Sequence, residues 1–214
     1  MRDHKQQAAR WVGGLAILVL AAGCGGDKSG GSGGITHDPK ASGATTATVT
    51  QKTGAKLPDG TLVISVFAGR GATPQVAEMD GVLYASDQGW YVFSVHPAGQ
   101  GGTPSGGREV FLTPSLPSLP LNDQNLTLQR VDLKADGRSR AHRSGGVEVI
   151  LAIQGKIEVH SGTFSPRQLT SGQGSYVLDN TPLQVWSLGG PASYLDFYLL
   201  PNGRALSTDF QFSP

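Results

Sequence analysis

Short apolar runs separated by turn residues fill the chain from residue 57 onward. Examples are TLVISVFAG, GWYVFSVHPAG, GVEVILAIQG and ASYLDFYLLPNG, and Gly, Pro, Asn or Asp lies between successive runs. Turn signals recur roughly every eight to twelve residues, and no run of about ten residues has a helical apolar stripe. The pattern predicts an all-β fold, either a sandwich or a closed barrel.

One of these runs, GVEVILAIQG, is apolar on both faces of the predicted strand. Odd-numbered positions from Val147 to Ile153 form one apolar face, and Ile150 and Ala152 form the other, beside Glu148. Because side chains alternate between the faces of a strand, other parts of the protein must cover both faces. Such a strand indicates a closed or double-layered β structure.

Composition divides the chain into three segments. Residues 24–56 are rich in Gly, Ser and Thr and contain one Ile, one Val and no aromatic residue. Such a segment cannot bury a core, so we predict a flexible tether there. Residues 57–214 have the size of one ordinary domain. Within this domain, the Pro-rich stretch 99–120 predicts a surface connection with one brief strand, REVFL.

The first segment, residues 1–23, has the features of a bacterial lipoprotein signal peptide. Arg2, Lys5 and Arg10 precede the apolar run WVGGLAILVLAA, which at twelve residues is too short to span a bilayer as a stable helix. The run ends in LAAGC, which resembles the lipobox of these proteins and places the lipid on Cys24. The other interpretation is an uncleaved membrane anchor with an incidental cysteine.

Acyl chains on Cys24 imply that the mature protein is exported and anchored to a membrane. Gly25, in place of Asp after the cysteine, allows sorting to an outer membrane. Because the chain has no second cysteine, no internal disulfide can stabilise the exported domain. The net charge of +1 gives no basic face for nucleic acid, so the expected partners are the membrane and an unidentified small molecule or protein.

A carboxylate in an apolar strand needs a partner, because burial of an unpaired charge is costly. Around Glu148, the sequence ADGRSRAHRSGGVEVILAIQG resembles the first motif of the cupin superfamily, which orders Gly, His, His, Glu and Gly. His142, Glu148 and Gly155 occupy matching positions. Ser144 replaces the second His, and Gly137 lies one place too close to His142.

The segment GQGSYVLDNTPLQVWS resembles the second cupin motif, which orders Gly, Pro, Gly, His and Asn. Gly172 matches, Asn180 replaces a Gly and tolerates the same left-handed backbone, and Leu183 replaces the His. The resemblance covers about residues 126–200. It implies a cupin-like double-stranded β-helix, or jelly-roll barrel, which the earlier strands complete or decorate.

The resemblance also implies a metal ion, commonly iron, manganese, nickel or zinc, bound by both motifs. Of the four positions that bind this metal in the family, His142 and Glu148 match. Ser144 offers only a poor donor atom at the third position, and Leu183 offers none at the fourth. We therefore disfavour a divalent transition metal and assign no cofactor and no catalytic residue. We expect Glu148 either to accept a hydrogen bond from His142 or Ser144, or to be neutral with a raised pKa.

Three functions are consistent with this pattern. The first is a non-catalytic module that binds a small molecule or a partner, with pocket candidates His142, Ser144, Glu148, Leu183 and Trp186. The second is a metal-dependent cupin enzyme of the oxygenase or isomerase type that uses His142, Glu148 and an unidentified further ligand, such as His96. The third is a structural envelope protein in which Leu183 and Trp186 fill the barrel core.

Overall fold

The computed structural model describes residues 42–75, 81–119 and 123–212. Within these ranges the chain forms fourteen β-strands and no α-helix, which confirms the all-β prediction. The described ranges likewise contain no helix with the length and apolar character needed to cross a bilayer. The predicted signal peptide, residues 1–23, and Cys24 lie outside the described residues.

The strands are numbered in chain order. Their bounds are β1 Ser42–Ala55, β2 Leu62–Gly69, β3 Gly81–Ser86, β4 Gly89–Pro97, β5 Gly107–Leu112, β6 Gln124–Arg138, β7 His142–Ser144, β8 Val147–Gln154, β9 Lys156–Ser161, β10 Arg167–Thr170, β11 Gly174–Val177, β12 Pro182–Ser187, β13 Ala192–Pro201 and β14 Ser207–Asp209.

One ten-stranded antiparallel sheet forms the barrel. One half of it has the order β6–β13–β8–β11, and the other half has the order β10–β9–β12–β7. The long strand β6 joins the two halves, because it pairs with β13 from Gln124 to Leu133 and with β12 at Arg138. The chain passes back and forth between the two halves, as in a jelly roll. This strand order confirms the cupin-like barrel that the sequence predicts.

A separate four-stranded sheet, ordered β3–β4–β2–β5, decorates the barrel. It packs on the odd-numbered face of β8 and β13, where Phe93 stacks on Phe197 with ring centroids 5.2 Å apart. The opposite face of β8 contributes Ile150 and Ala152 to the barrel core. Both faces of β8 are therefore covered, as its sequence requires.

The barrel interior is apolar at one end and polar at the other. The apolar cluster comprises Val131, Leu133, Ile150, Ala152, Ile157, Val159, Leu169, Val177, Leu183, Val185, Ala192 and Tyr194. Along β8 and β13, the cross-strand pair of Ala152 and Tyr194 lies in this cluster. The pair of Glu148 and Tyr198 lies four residues further along the same two strands. Polar side chains therefore converge at one end of the barrel.

The prediction of a flexible tether over residues 24–56 is wrong for residues 42–55, which form β1. β1 pairs antiparallel with β6, from Ser42 opposite Arg138 to Ala55 opposite Gln124. Its centre, TTATVT, is rich in threonine, whose β-branched side chain favours strands. Hydrogen bonds from the β1 backbone to β6 do not require apolar side chains, so composition alone does not reveal this strand.

The aromatic stack between the two layers provides a test of the packing. Phe93 is fully buried, so Phe93→Ala leaves a cavity and is expected to lower the free energy of unfolding by about 3–5 kcal/mol. Leu112→Ala is the control, because Leu112 is 49% exposed and its truncation is expected to cost less than about 0.5 kcal/mol. Urea denaturation measures both values. Equal losses would contradict the described packing.

Candidate ligand-binding site

His142 and Glu148 form a buried ion pair at the polar end of the barrel. The Nε2–H group of His142 donates to both carboxylate oxygens of Glu148, at 3.2 Å from each. The Nδ1–H group donates to the carbonyl oxygen of Arg140 at 3.0 Å. The two side chains are 8% and 0% exposed. The hydrogen bond expected between His142 and Glu148 is therefore present.

A tight reversal of the chain brings the two residues together. His142 lies on β7, opposite Leu183 of β12 and Asp209 of β14, and Glu148 lies near the start of β8. Between the two strands, a Cβ atom on Gly146 would lie 2.3 Å from the carbonyl oxygen of Leu199. The turn therefore needs glycine, because the backbone of β13 passes too close for any side chain.

The pKa of His142 reflects two opposing effects. Burial lowers it, because a buried imidazole disfavours its charged form. The charge of Glu148 and the hydrogen bond to Glu148 outweigh burial, and Asp196 and the Arg140 carbonyl add to their effect. The pKa of His142 is raised in total from 6.5 to about 9. At neutral pH the side chain is an imidazolium, and its pair with Glu148 carries no net charge.

Asp196 is a third titratable residue of this cluster, and sequence reasoning missed it. It lies on β13, directly opposite Ile150 of β8, and is 3% exposed. The phenol of Tyr198 donates to its Oδ2 atom at 2.8 Å. The available signal was the carboxylate in the apolar run ASYLDFYLLPNG, to which the argument applied to Glu148 applies equally.

Burial favours the protonated form of Asp196. It raises the pKa of the carboxyl group well above the usual range, and the charge of Glu148 raises it further, while His142 and the Tyr198 phenol oppose the shift. The cluster therefore combines the ion pair of His142 and Glu148 with a carboxyl group whose negative charge is disfavoured.

A cavity of about 480 Å³ opens beside this cluster. Its wall includes His142, Asp196, Tyr194, Tyr198, Gln129 and Ser139. Thr46 of β1 and Ser207 of β14 complete the wall, so both the unexpected first strand and the C-terminal strand contribute. The volume is typical of sites for small molecules.

The cavity wall is polar but carries no uncompensated charge. Arg140 is ion-paired with Asp209 at 3.1 Å, His142 is paired with Glu148, and the raised pKa of Asp196 disfavours its negative charge. Burial raises the pKa of the Tyr194 and Tyr198 phenols well above the usual range, so both remain protonated. This arrangement suits recognition by hydrogen bonds. A ligand that accepts a hydrogen bond from His142 must compete with Glu148 for it.

The structure places Ser144 and Leu183 near His142 but outside the cavity wall. Ser144 is buried, and its hydroxyl group donates to the carbonyl oxygen of Gly146 at 2.9 Å. Leu183 faces His142 across the pairing of β7 and β12 and is fully buried in the barrel core. Asn180, the expected replacement for a motif glycine, has the left-handed backbone with a φ of 60°.

Trp186 belongs neither to the pocket nor to the barrel core. It lies on the face of β12 opposite to the buried Leu183 and Val185. Its ring stacks on His160 with centroids 4.1 Å apart, and the Arg138 guanidinium lies 4.1 Å from its centroid. The interpretation of Trp186 as a pocket or core residue is therefore wrong.

His96 lies on β4, in the sheet that decorates the barrel. Its ring nitrogens contact the Pro97 carbonyl oxygen and the Ser65 hydroxyl group, each at 2.9 Å. It is not part of the wall of the cavity beside His142. His96 therefore does not replace a missing metal ligand at that site.

The residues present do not fit the metal that the family resemblance implies. His142 and Glu148 are bonded to each other, the Ser144 hydroxyl group is bonded to Gly146, and Leu183 has no donor atom. Among the described side chains, no group of three or more His, Cys, Asp or Glu is arranged to hold a metal ion.

The raised pKa of His142 predicts that stability falls as the pH rises. A folded-state pKa of about 9 lies above the unfolded value of 6.5, so the stabilisation is complete below pH 6.5 and is lost as the pH passes through about 9. The shift corresponds to about 3 kcal/mol. Asp196 adds a decline of the same sign that starts at lower pH. Urea denaturation between pH 6 and pH 9.5, a range chosen around these values, measures the loss.

His142→Gln is expected to remove most of this pH dependence, since glutamine does not titrate. His96→Gln serves as the matched control and is expected to keep the slope of the original chain, because His96 lies outside the cluster. If the unfolding free energy of His142→Gln kept the original slope against pH, the ion pair with Glu148 would not be the origin of the pH dependence.

No protein-family model matches the chain, and no curated protein matches its sequence. Among solved structures, the chain is similar to a DMSP lyase from Ruegeria pomeroyi, with 17% identity over 39% of this chain and 42% of that chain and a TM-score of 0.36. A cupin-like protein from Thermotoga maritima is 11% identical over 40% of this chain and 65% of that chain, with a TM-score of 0.37.

An RmlC-like cupin family protein from Methanocaldococcus jannaschii is 14% identical over 36% of this chain and 71% of that chain, with a TM-score of 0.34. The chain spans 40% and 42% of the lengths of two DMSP lyase structures that it matches. From the order of its own barrel strands, the chain has a cupin-like jelly-roll fold.

Proposed function

We propose that this chain is a lipid-anchored, extracytoplasmic cupin-like domain that binds a small molecule in its barrel cavity without a catalytic metal. The lipobox-like sequence LAAGC supports an anchor at Cys24. The volume of the cavity and its polar, charge-balanced wall support the binding role.

The observation that carries this proposal is the pairing of His142 with Glu148 beside an open cavity. A metal site needs these donors to face an ion, whereas here the imidazolium and the carboxylate bond to each other. The pKa of Asp196 is raised by burial and by Glu148, so its negative charge, which would favour a cation, is disfavoured as well. These groups favour a ligand that is recognised by hydrogen bonds.

The same cavity disfavours the structural envelope role, in which Leu183 and Trp186 fill the barrel. Leu183 does pack in the core, yet the space beside His142 stays open. Trp186 lies on the outer face of β12 and fills none of that space. In a purely structural barrel, a cavity of this size would reduce packing contacts, and no function would explain that loss.

Metal analysis tests the proposal against the metal-dependent enzyme. The chain, purified without chelators, is expected to contain far less than one iron, manganese, nickel or zinc ion per molecule by plasma mass spectrometry. His142→Ala is expected to leave that content unchanged. A stoichiometric metal that is lost in His142→Ala but kept in His96→Ala would overturn the binding-module proposal and favour the enzyme.

The anchor is tested by Cys24→Ser in a bacterium that processes lipoproteins. The original chain is expected to incorporate labelled palmitate and to sediment with membranes, whereas the variant is expected to do neither, because serine cannot form the thioether. Ala21→Leu, which makes the lipobox more typical, is the control and should keep both properties. Membrane sedimentation of Cys24→Ser equal to that of the original chain would contradict the lipid anchor.

A further inference from the structure

We propose that a second cavity, between the four-stranded sheet and the barrel, binds an oxyanion such as a phosphate group through Arg70 and Arg108. This cavity has a volume of about 280 Å³. It shares no residue with the wall of the cavity beside His142. The site is therefore separate from the small-molecule site proposed above.

Among the described residues, the two guanidinium groups have no acidic partner. In the part of the chain that the structure describes, neither Arg70 nor Arg108 forms an ion pair or a side-chain hydrogen bond, and no Asp or Glu lines the cavity. Glu109, the neighbour of Arg108, instead accepts a hydrogen bond from Ser65 at 2.9 Å. Asp87 belongs to the wall of an adjacent cavity. Two uncompensated cations in one cavity attract an anion.

The strand pairing holds these arginines side by side. Ala68 of β2 lies opposite Arg108 of β5, and Gly69 lies opposite Gly107, so Arg70 extends just beyond the end of the same ladder. The guanidinium group presents a planar fork of N–H donors that matches the oxygens of phosphate or carboxylate. Two such forks at one ladder end suit an anion with several oxygens.

Trp90 gives the cavity a fixed wall and an unsatisfied donor. Its side chain is 1% exposed, and its Nε1–H group has no hydrogen-bond partner among the described residues. The ring lies across two glycines, because a Cβ on Gly69 would lie 2.1 Å from its Cζ2 atom and one on Gly107 would lie 2.6 Å from its Cη2 atom. An ion in the cavity would therefore lie beside a ring that the close packing against both glycines holds in place.

The remaining wall links the two layers of the protein. Tyr91 comes from the four-stranded sheet, whereas Ile153 comes from β8 and Ser171 and Gly172 come from the turn between β10 and β11. Burial raises the pKa of the Tyr91 phenol, and the Ser171 hydroxyl group donates to the carbonyl oxygen of Ile153 at 2.9 Å. An anion in this cavity would contact both layers and would stabilise their association.

Titration of the full chain in detergent with inorganic phosphate, at constant ionic strength, tests this site. The ¹H–¹⁵N signal of the Trp90 indole group is expected to shift saturably, and Trp186→Phe helps to assign that signal by elimination. Arg70→Gln and Arg108→Gln are each expected to weaken binding roughly tenfold, because each removes charge-assisted hydrogen bonds. Both arginines are exposed, so these changes should leave the packing intact.

Arg167→Gln is the matched control, since Arg167 lies over the Phe164 ring and is not part of this cavity. It should bind phosphate as the original chain does. Phosphatidylglycerol dissolved in the same detergent micelles replaces phosphate in a second arm, and a stronger, arginine-dependent response to it identifies a lipid headgroup as the source of the anion. No saturable shift in either arm, or equal affinity in the double arginine variant, would overturn the proposal.

Discussion

The buried charge of Glu148 is the constraint on which the polar end of the barrel depends. An unpaired carboxylate there would cost several kcal/mol, roughly the scale of a domain's total stability. His142 compensates this charge, and it can do so only because β7 is held between β12 and β14 within reach of β8. Burial raises the pKa of Asp196, and the same charge raises it further. The carboxylate of Glu148 thus favours the protonated form of both neighbours and leaves a cavity wall with compensated charge.

The four-stranded sheet covers apolar surface that the barrel alone would expose. β8 and β13 are apolar on both faces, so the barrel alone would leave one face of each in water. The four-stranded sheet covers that face and creates, at its junction with the barrel, the cavity with Arg70 and Arg108. The barrel cavity borders β13, whereas the second cavity borders the neighbouring strand β8. The two walls differ in charge, since compensated groups line the first cavity, whereas the arginines of the second have no ion-pair partner among the described residues.

Much of this architecture could be predicted from sequence, because strand alternation is local information. The two apolar faces of GVEVILAIQG required two layers, and the polar Glu148 required a partner that the motif spacing identified as His142. The apolar run around Asp196 indicates a buried carboxylate, but its position beside Glu148 depends on cross-strand register, which no local pattern encodes. β1 was missed because its stability comes from backbone pairing with β6. His96 was considered as a metal ligand at the barrel, yet it lies in the four-stranded sheet. A histidine at the end of a strand does not reveal to which sheet that strand belongs.

The early start of β1 has a mechanical consequence. Only seventeen residues separate Cys24 from Ser42, so if the cysteine carries the lipid, the start of β1 stays within about 60 Å of the membrane even at full extension. Any pull from the membrane enters the fold through β1 and acts along its ladder with β6. Thr46 of this strand also borders the barrel cavity. A ligand that contacts Thr46 would raise the force needed to separate β1 from β6. Tension on the lipid would in turn lower the affinity for that ligand.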